Sequence, residues 1–299
     1  MKVRILTFET ISAADLAPPI GRLVKDLHDR EKAIRLWLKP DDTKDEQQRR
    51  QNERVPGTNT WFLQDKPFQD WIDPGLQSYN SRLLWVCGKP GCGKSILASS
   101  VVAQLQEMGI QPIFFFFNSK SGEATGLEPI GFVRTLLFQL LDIDPRLTEL
   151  LHGIFAKSGS HVASSFADLW EVFRLWCLRR SEPVFCVVDA LDESFDGCED
   201  PDDFLSTIVQ TLKSCHMLRI VVTSRPSHKI EQYFVLDACS TPNSTIAAAS
   251  KITINERQVS PDILAFVAAK ISRSRKLKEW IAQSDIDTLC ARAEGMFLW

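Results

Sequence analysis

Long hydrophobic runs are absent from this 299-residue sequence, and so is a strong excess of either charge. No apolar stretch approaches the ~18 residues that a membrane-spanning helix needs, and the first residues lack the apolar run of a signal peptide. The 35 basic residues stand against 38 acidic ones, so the net charge of -3 provides no positive field for a nucleic acid. We therefore expect a cytoplasmic protein with no membrane span and no nucleic acid partner.

The eight cysteines lack the spacing of a metal site. The closest pair, Cys87 and Cys92, has four residues between its members, whereas a zinc site is typically built from C-x-x-C pairs. Several cysteines lie inside apolar runs, which favours buried thiols in a reducing compartment over a disulfide framework. The five histidines show neither ligand spacing nor catalytic-triad spacing.

Short apolar runs alternate with helix-like segments from residue 81 onward. The apolar runs are residues 83–87, 113–117, 184–188 and 218–222. The helical patterns between them are residues 94–107, 129–141, 165–180 and 202–214. Near-continuous hydrophobicity is typical of strands buried on both faces, and strands that alternate with helices form parallel sheets. The sequence therefore predicts an α/β fold of three layers with a mostly parallel sheet.

Three segments are predicted along the chain. Residues 1–55 form an N-terminal helical and linker segment, with an amphipathic helix that ends near Pro40 and a mixed-charge stretch, 41–54, interpreted as a solvated helix or linker on the surface. Residues 56–239 form the α/β core. Residues 240–299 begin with a loop at 240–250 and continue as the start of a C-terminal helical region.

A phosphate-binding loop is the most specific motif in the sequence. It matches G-x-x-x-x-G-K-[ST], and its members are Gly88, Lys89, Pro90, Gly91, Cys92, Gly93, Lys94 and Ser95. The motif directly follows a predicted strand and directly precedes a predicted helix. Its glycines let backbone N–H groups turn toward phosphate oxygens, and the helix adds its positive N-terminal end. Lys94 would reach the β- and γ-phosphates, and the Ser95 hydroxyl would bind Mg²⁺.

The ends of two later strands supply the remaining polar groups. Asp189 follows the third apolar run and is predicted to hold Mg²⁺ together with Ser95. Asp192 and Glu193 lie just beyond it, where either carboxylate could orient or deprotonate an attacking water. Arg225 follows the fourth run, and a guanidinium there can stabilise a γ-phosphate. We therefore predict Asp192, Glu193 and Arg225 as the catalytic residues.

These motifs together resemble the NACHT ATPase module of fungal NOD-like receptors, within the STAND class of P-loop NTPases. The matching segments are residues 87–95, 187–193 and 222–226, and residues 56–63 are similar to the lead-in described as a nephrocystin 3-like N-terminal domain. The resemblance implies a switch that binds ATP or GTP with Mg²⁺, hydrolyses it slowly, and changes conformation and oligomeric state. It also implies a second copy, or another NOD-like receptor chain, as the partner.

The resemblance also implies flanking effector, winged-helix and repeat domains, which this sequence does not include, so we expect a truncated product or an isolated module. Two alternatives stay open. The first is a scaffold that binds nucleotide without hydrolysing it and recruits a partner through its N-terminal helix. The second is a P-loop kinase, whose lid arginines would be Arg179, Arg180, Arg273 and Arg275.

Three smaller expectations concern the edges of the site. Residues 55–65 are the expected place for contacts to the base, and Asn118 and Ser119 at the end of the second strand could face the nucleotide. Cys92 lies near a helix N-terminus, which would lower the pKa of its thiol. Nucleotide binding would then be sensitive to oxidation.

Overall fold

A parallel sheet of five strands forms the centre of the molecule. The computed structural model describes residues 13–118, 127–158, 165–236, 249–274 and 281–297. The strands are β1 (Leu83–Cys87), β2 (Ile113–Phe116), β3 (Val184–Asp189), β4 (Leu218–Ser224) and β5 (Ser250–Thr253). Their order is β2-β3-β4-β1-β5, and all adjacent strands run parallel. The predicted parallel α/β fold is therefore confirmed.

Helices precede, connect and follow these strands. Among the described residues they are α1 (Ala13–Leu38), α2 (Thr43–Glu53), α3 (Thr60–Leu63), α4 (Lys66–Ile72), α5 (Tyr79–Arg82), α6 (Lys94–Glu107), α7 (Pro129–Ile143), α8 (Leu147–Ser158), α9 (Phe166–Leu178), α10 (Pro201–Ser214), α11 (His228–Glu231), α12 (Glu256–Ser272) and α13 (Gln283–Arg292). A 3₁₀ turn, Leu191–Asp196, follows β3, and a π turn, Gln232–Leu236, follows α11. The four helices predicted between the strands are confirmed as α6, α7, α9 and α10.

Both faces of the sheet are buried because successive side chains of a strand enter different cores. In β1, Leu84 and Val86 join the core that contains the apolar side of α6. Trp85 and Cys87, on the opposite face, join the core formed with α7, α9 and α10. This alternation gives three layers, with α6 and α7 on opposite sides of the sheet.

The mixed-charge stretch 41–54 contains helix α2, which packs beside α6 and buries only Thr43 and Gln47. The Gln47 amide is buried and donates to the Ser99 carbonyl of α6 at 3.0 Å. Gln51 donates to the same carbonyl at 2.6 Å, and Gln139 of α7 donates to the Thr43 hydroxyl at 3.3 Å. The stretch is therefore a mostly solvated helix, as predicted, but it is not surface alone, because its buried contacts use polar side chains, which hydropathy counts as exposed.

The edge strand β5 is not predicted by the sequence, whose pattern indicates a loop and then helices in this region. Ser250 pairs with Leu84 and Thr253 with Cys87, so β5 extends the parallel sheet beyond the predicted boundary at residue 240. Its four residues are mostly polar and only Ile252 is buried, which is too little for a recognisable strand pattern. The rest of the predicted loop, up to residue 248, lies outside the described residues.

The cysteines of the described ranges are free thiols, and five of them are buried: Cys87, Cys92, Cys177, Cys186 and Cys215. In the same ranges, no cluster of histidine, cysteine and acidic side chains is arranged to hold a metal ion. No helix there is long and apolar enough to cross a membrane.

Candidate nucleotide-binding site

The loop between β1 and α6 has the backbone shape that a phosphate group requires. Gly91 and Gly93 adopt φ angles of 74° and 92°, in the left-handed region that favours glycine. The Gly88 N–H donates to the Ser224 carbonyl at 3.2 Å and so fixes the start of the loop to β4. Among the described residues, the Gly91 and Gly93 N–H groups donate no backbone hydrogen bond. They and the first turn of α6 therefore supply donors for an anion.

Lys94, the first residue of α6, directs its ammonium group back into this loop. Its Nζ donates to the carbonyls of Gly88 and Lys89 at 2.8 and 2.9 Å. A side chain at Gly88 would meet the Cys92 sulfur at 2.6 Å, so only glycine fits this close approach. Two backbone carbonyls of the loop therefore hold the positive charge of Lys94 inside it.

Asp189 lies at the carboxyl end of β3, and β4 lies between β3 and the strand β1 that leads into the loop. The pairing of Val188 with Val222 brings Thr223 beside it, and the Thr223 hydroxyl donates to Asp189 Oδ1. The same hydroxyl accepts the Ala190 N–H at 3.1 Å. Asp189 is 1% exposed, and its Oδ2 has no hydrogen-bond partner among the described residues. This second oxygen is therefore buried with no donor within hydrogen-bond distance among the described residues.

The charge state of Asp189 reflects two opposing effects. Burial raises the pKa of its carboxyl, while the hydroxyls of Ser95 and Thr223 and the charges of Arg50 and Lys94 lower it. Mg²⁺ is a hard cation that takes oxygen ligands and is commonly held by one or two carboxylates. A buried carboxylate with an unpartnered oxygen and the Ser95 hydroxyl beside it fits that ion.

The three predicted catalytic residues lie together beyond the strand ends. The Arg225 N–H donates to Asp192 Oδ1 at 3.0 Å, and its Nε lies 3.5 Å from Asp192 Oδ2. Arg225 Nη2 lies 3.7 Å from Glu193 Oε1. Burial raises the pKa of Asp192, while the Arg225 N–H and guanidinium charge lower it. Ala190, in the left-handed region with φ of 55°, turns the chain from β3 into this acidic segment.

One cavity of about 740 Å³ connects the loop, Asp189 and these three residues. The predicted regions for other contacts also reach it, through Val55, Thr58, Asn59 and Asn118, whereas Ser119 lies outside the described residues. Further lining residues, which the motifs do not include, are Arg50, Glu53, Arg54, Phe266, Lys270, Met296 and Phe297. The cavity is therefore built from the segments before and after the sheet as well as from the strand ends.

The segment after α13 contacts the phosphate loop directly. The Phe297 N–H donates to the Gly91 carbonyl at 2.8 Å, and a side chain at Gly93 would lie 3.1 Å from the Phe297 ring. Phe297 also forms an edge-to-face pair with Phe266 of α12, with ring centroids 5.6 Å apart. The C-terminal helices are thereby connected to the loop.

Two sequence expectations fail at this site. The pKa of Cys92 is raised by burial, not lowered, because desolvation outweighs the charge of Lys94 and the helix terminus. Arg179 and Arg180 line a separate cavity between α8 and α9, which removes them as lid residues of a kinase. Arg273 does not line the cavity beside the phosphate loop, and Arg275 lies outside the described residues.

The sheet, the loop and the cavity define a P-loop NTPase-like module. Residues 57–225, more than half of the chain, match the family model "Nephrocystin 3, N-terminal", and the chain belongs to that family. It is 24% identical over 247 residues to the vegetative incompatibility protein HET-E-1 of Podospora anserina, covering 80% of this chain and 17% of that protein. These matches confirm the resemblance to NACHT-type signalling modules.

A solved structure with a related outline is Cdc6p from Pyrobaculum aerophilum. The TM-score is 0.40 at 13% identity, and the match covers 72% of this chain and 50% of that chain.

Proposed function

We propose that this chain is a cytoplasmic signalling switch that binds ATP or GTP with Mg²⁺ and hydrolyses it slowly. Hydrolysis would be coupled to a change of conformation and to association with a second copy or another NOD-like receptor chain. The observation that carries the proposal is the buried Asp189 carboxylate with its unpartnered oxygen, placed beside Ser95 at the base of the phosphate loop. Such a group is costly to bury unless a ligand compensates it.

In the proposed complex, different groups bind the phosphates and the metal ion. The backbone N–H groups of residues 88–95 and the Lys94 ammonium contact the phosphates, and Ser95 and Asp189 hold the metal ion. Mg²⁺ bound there would neutralise charge on the β- and γ-phosphate oxygens. The aromatic pair Phe266 and Phe297 lines the part of the cavity in which we place the base, together with Val55, Thr58 and Asn59.

Hydrolysis needs a base for the attacking water and a cation for the transferred phosphoryl group. Asp192 is the better base, because burial raises its pKa and so increases its affinity for the proton of that water. Arg225 supplies the cation. Because Arg225 contacts both Asp192 and Glu193, these groups must separate before they act, which favours slow turnover.

The test is titration of fluorescent ATP and GTP analogues with Mg²⁺, followed by phosphate release under the same conditions. Lys94→Ala should weaken binding about 30-fold or more, because charge-assisted contacts to phosphate contribute roughly 1.5–3 kcal/mol each. Lys66→Ala is the matched control, since this exposed lysine pairs with Asp70 on α4 and does not line the cavity. Light scattering with tri- and diphosphate measures the oligomeric state.

Binding that Lys66→Ala keeps and Lys94→Ala loses, with slow phosphate release, supports the switch. Binding without phosphate release supports the non-hydrolysing scaffold. No saturable binding to the unmodified chain would contradict the proposal.

A further inference from the structure

Helix α2 brings a cationic side chain into the nucleotide cavity from outside the residues that match the family model. That match begins at residue 57, whereas α2 ends at Glu53. Arg50 of α2 nevertheless lines the same cavity as Lys94, Ser95, Asp189 and Arg225. We propose that Arg50 contacts the terminal phosphate of the bound nucleotide and makes the site discriminate triphosphate from diphosphate. The proposal rests on the proposed function.

The position of α2 is fixed against the helix that carries the phosphate loop. Gln47 and Gln51 both donate to the Ser99 carbonyl, at 3.0 and 2.6 Å, and Gln51 also reaches the Ser99 hydroxyl at 2.8 Å. Ser99 lies one turn after Ser95 on α6. A movement of α2 relative to the loop would therefore break buried hydrogen bonds, so Arg50 approaches the cavity from a preorganised helix.

The local charge leaves Arg50 available for an anion. Its Nε and Nη2 both lie 2.7 Å from Glu46 Oε1, and Glu46 also pairs with Arg49. One carboxylate thus serves two guanidinium groups, and the cluster keeps one net positive charge. A guanidinium has five N–H donors, and the described residues accept from Arg50 only on the edge that faces Glu46. The remaining N–H groups can donate hydrogen bonds to phosphate oxygens.

The contacts of α2 place Arg50 at the metal end of the cavity and not at the base end. Gln51, the next residue along α2, donates to Ser99, which lies one helical turn from Ser95, and Arg50 lines the cavity that Ser95 and Asp189 also line. Asp189 and Ser95 mark the position where the proposed function holds Mg²⁺, next to the β- and γ-phosphates. The neighbouring Glu53 and Arg54, also on the cavity wall, carry opposite charges and add no net attraction. The terminal phosphate is therefore the group that Arg50 meets.

Arg49 provides a matched control within the same cluster. It lies on the same helix and pairs with the same Glu46, but its side chain is 58% exposed and does not line the cavity, whereas that of Arg50 is 22% exposed. Arg49→Gln and Arg50→Gln each remove one positive charge and one ion pair. Only Arg50→Gln removes a group from the site.

The experiment measures the dissociation constants of fluorescent tri- and diphosphate analogues with Mg²⁺ for the full chain, Arg49→Gln, Arg50→Gln and Arg50→Lys. We expect Arg50→Gln to weaken triphosphate binding about tenfold, or about 1.4 kcal/mol. Diphosphate binding should change less than threefold. Arg49→Gln should stay within twofold for both ligands, and Arg50→Lys should lie between Arg50→Gln and the unmodified chain because it keeps the charge without the planar fork.

Three results would overturn the inference. The first is unchanged triphosphate affinity in Arg50→Gln, and the second is an equal loss in Arg49→Gln. The third is an equal loss of tri- and diphosphate binding in Arg50→Gln.

Should Arg50→Gln fail to fold, as circular dichroism would show, an unchanged ratio of the tri- and diphosphate affinities in Arg50→Lys also counts against the inference. If the unmodified chain binds neither ligand, the proposed function fails as well. If the unmodified chain binds nucleotide, Lys94→Ala does not, and one of the results above is found, then only the role of Arg50 is wrong.

Discussion

Replacing Thr223 with valine should destabilise the chain by roughly 2–4 kcal/mol at pH 7. Valine keeps the shape and the strand preference of threonine but removes the hydroxyl. A hydrogen bond to a buried charged group, here Asp189, contributes about 1.5–3 kcal/mol, and the lost acceptor of the Ala190 N–H adds about 0.5–1.5 kcal/mol. Urea unfolding without nucleotide, followed by tryptophan fluorescence, measures the difference.

The pH dependence of this loss separates the hydrogen bond from simple packing. Removal of the hydroxyl takes away a contact that lowers the pKa of Asp189, so the pKa in the folded variant rises further above the unfolded value. The penalty is complete where Asp189 is ionised in both folded proteins, and it shrinks as the pH falls and Asp189 becomes protonated. Thr223→Ser, which loses a methyl and keeps the hydroxyl, is the control and should cost about 1 kcal/mol. A loss in Thr223→Val no larger than in Thr223→Ser, or independent of pH, would refute the reasoning.

Two other predictions concern the phosphate loop. Cys92 should react slowly with iodoacetamide at pH 7.5, because burial keeps its thiol protonated, and mass spectrometry should find the partly exposed Cys290 labelled before Cys92; faster labelling of Cys92 would contradict this. Gly93→Ala should cost about 1–2 kcal/mol from left-handed strain, plus the displacement of the Phe297 ring. Gly109→Ala is the control, because Gly109 has a similar left-handed backbone with open space around it. Equal losses of stability in the two variants on denaturation would show that the contact with Phe297 contributes nothing to the cost.

Local patterns predict the sheet and the centre of the site well. Strand β1, the loop and α6 are contiguous in sequence, so one motif specifies all three. Asp189 and Arg225 are also foreseen, because the carboxyl ends of parallel strands meet at one edge. Thr223 is not among the predicted site residues, because its contact with Asp189 depends on the register of β3 and β4; its polar side chain in a buried strand is the only direct signal in the sequence.

Contacts between distant polar groups escape sequence reasoning. Helix α2 has almost no apolar residues, and the hydrogen bonds of Gln47 and Gln51 to Ser99 join residues about fifty positions apart. The contact of Phe297 with Gly91 likewise joins segments that are neighbours only after folding. Burial of Cys92 reverses the expected direction of its pKa, because a motif gives the charge near a thiol but not its solvation.

The structure of the chain with Mg²⁺ and a non-hydrolysable triphosphate tests the central claim most directly. We expect the phosphates on the loop of residues 88–95, and we expect the metal ion between the Ser95 hydroxyl and the Asp189 carboxylate, whose Oδ2 then gains its partner. A nucleotide bound elsewhere, or a metal ion that leaves Asp189 without contact, would contradict the account.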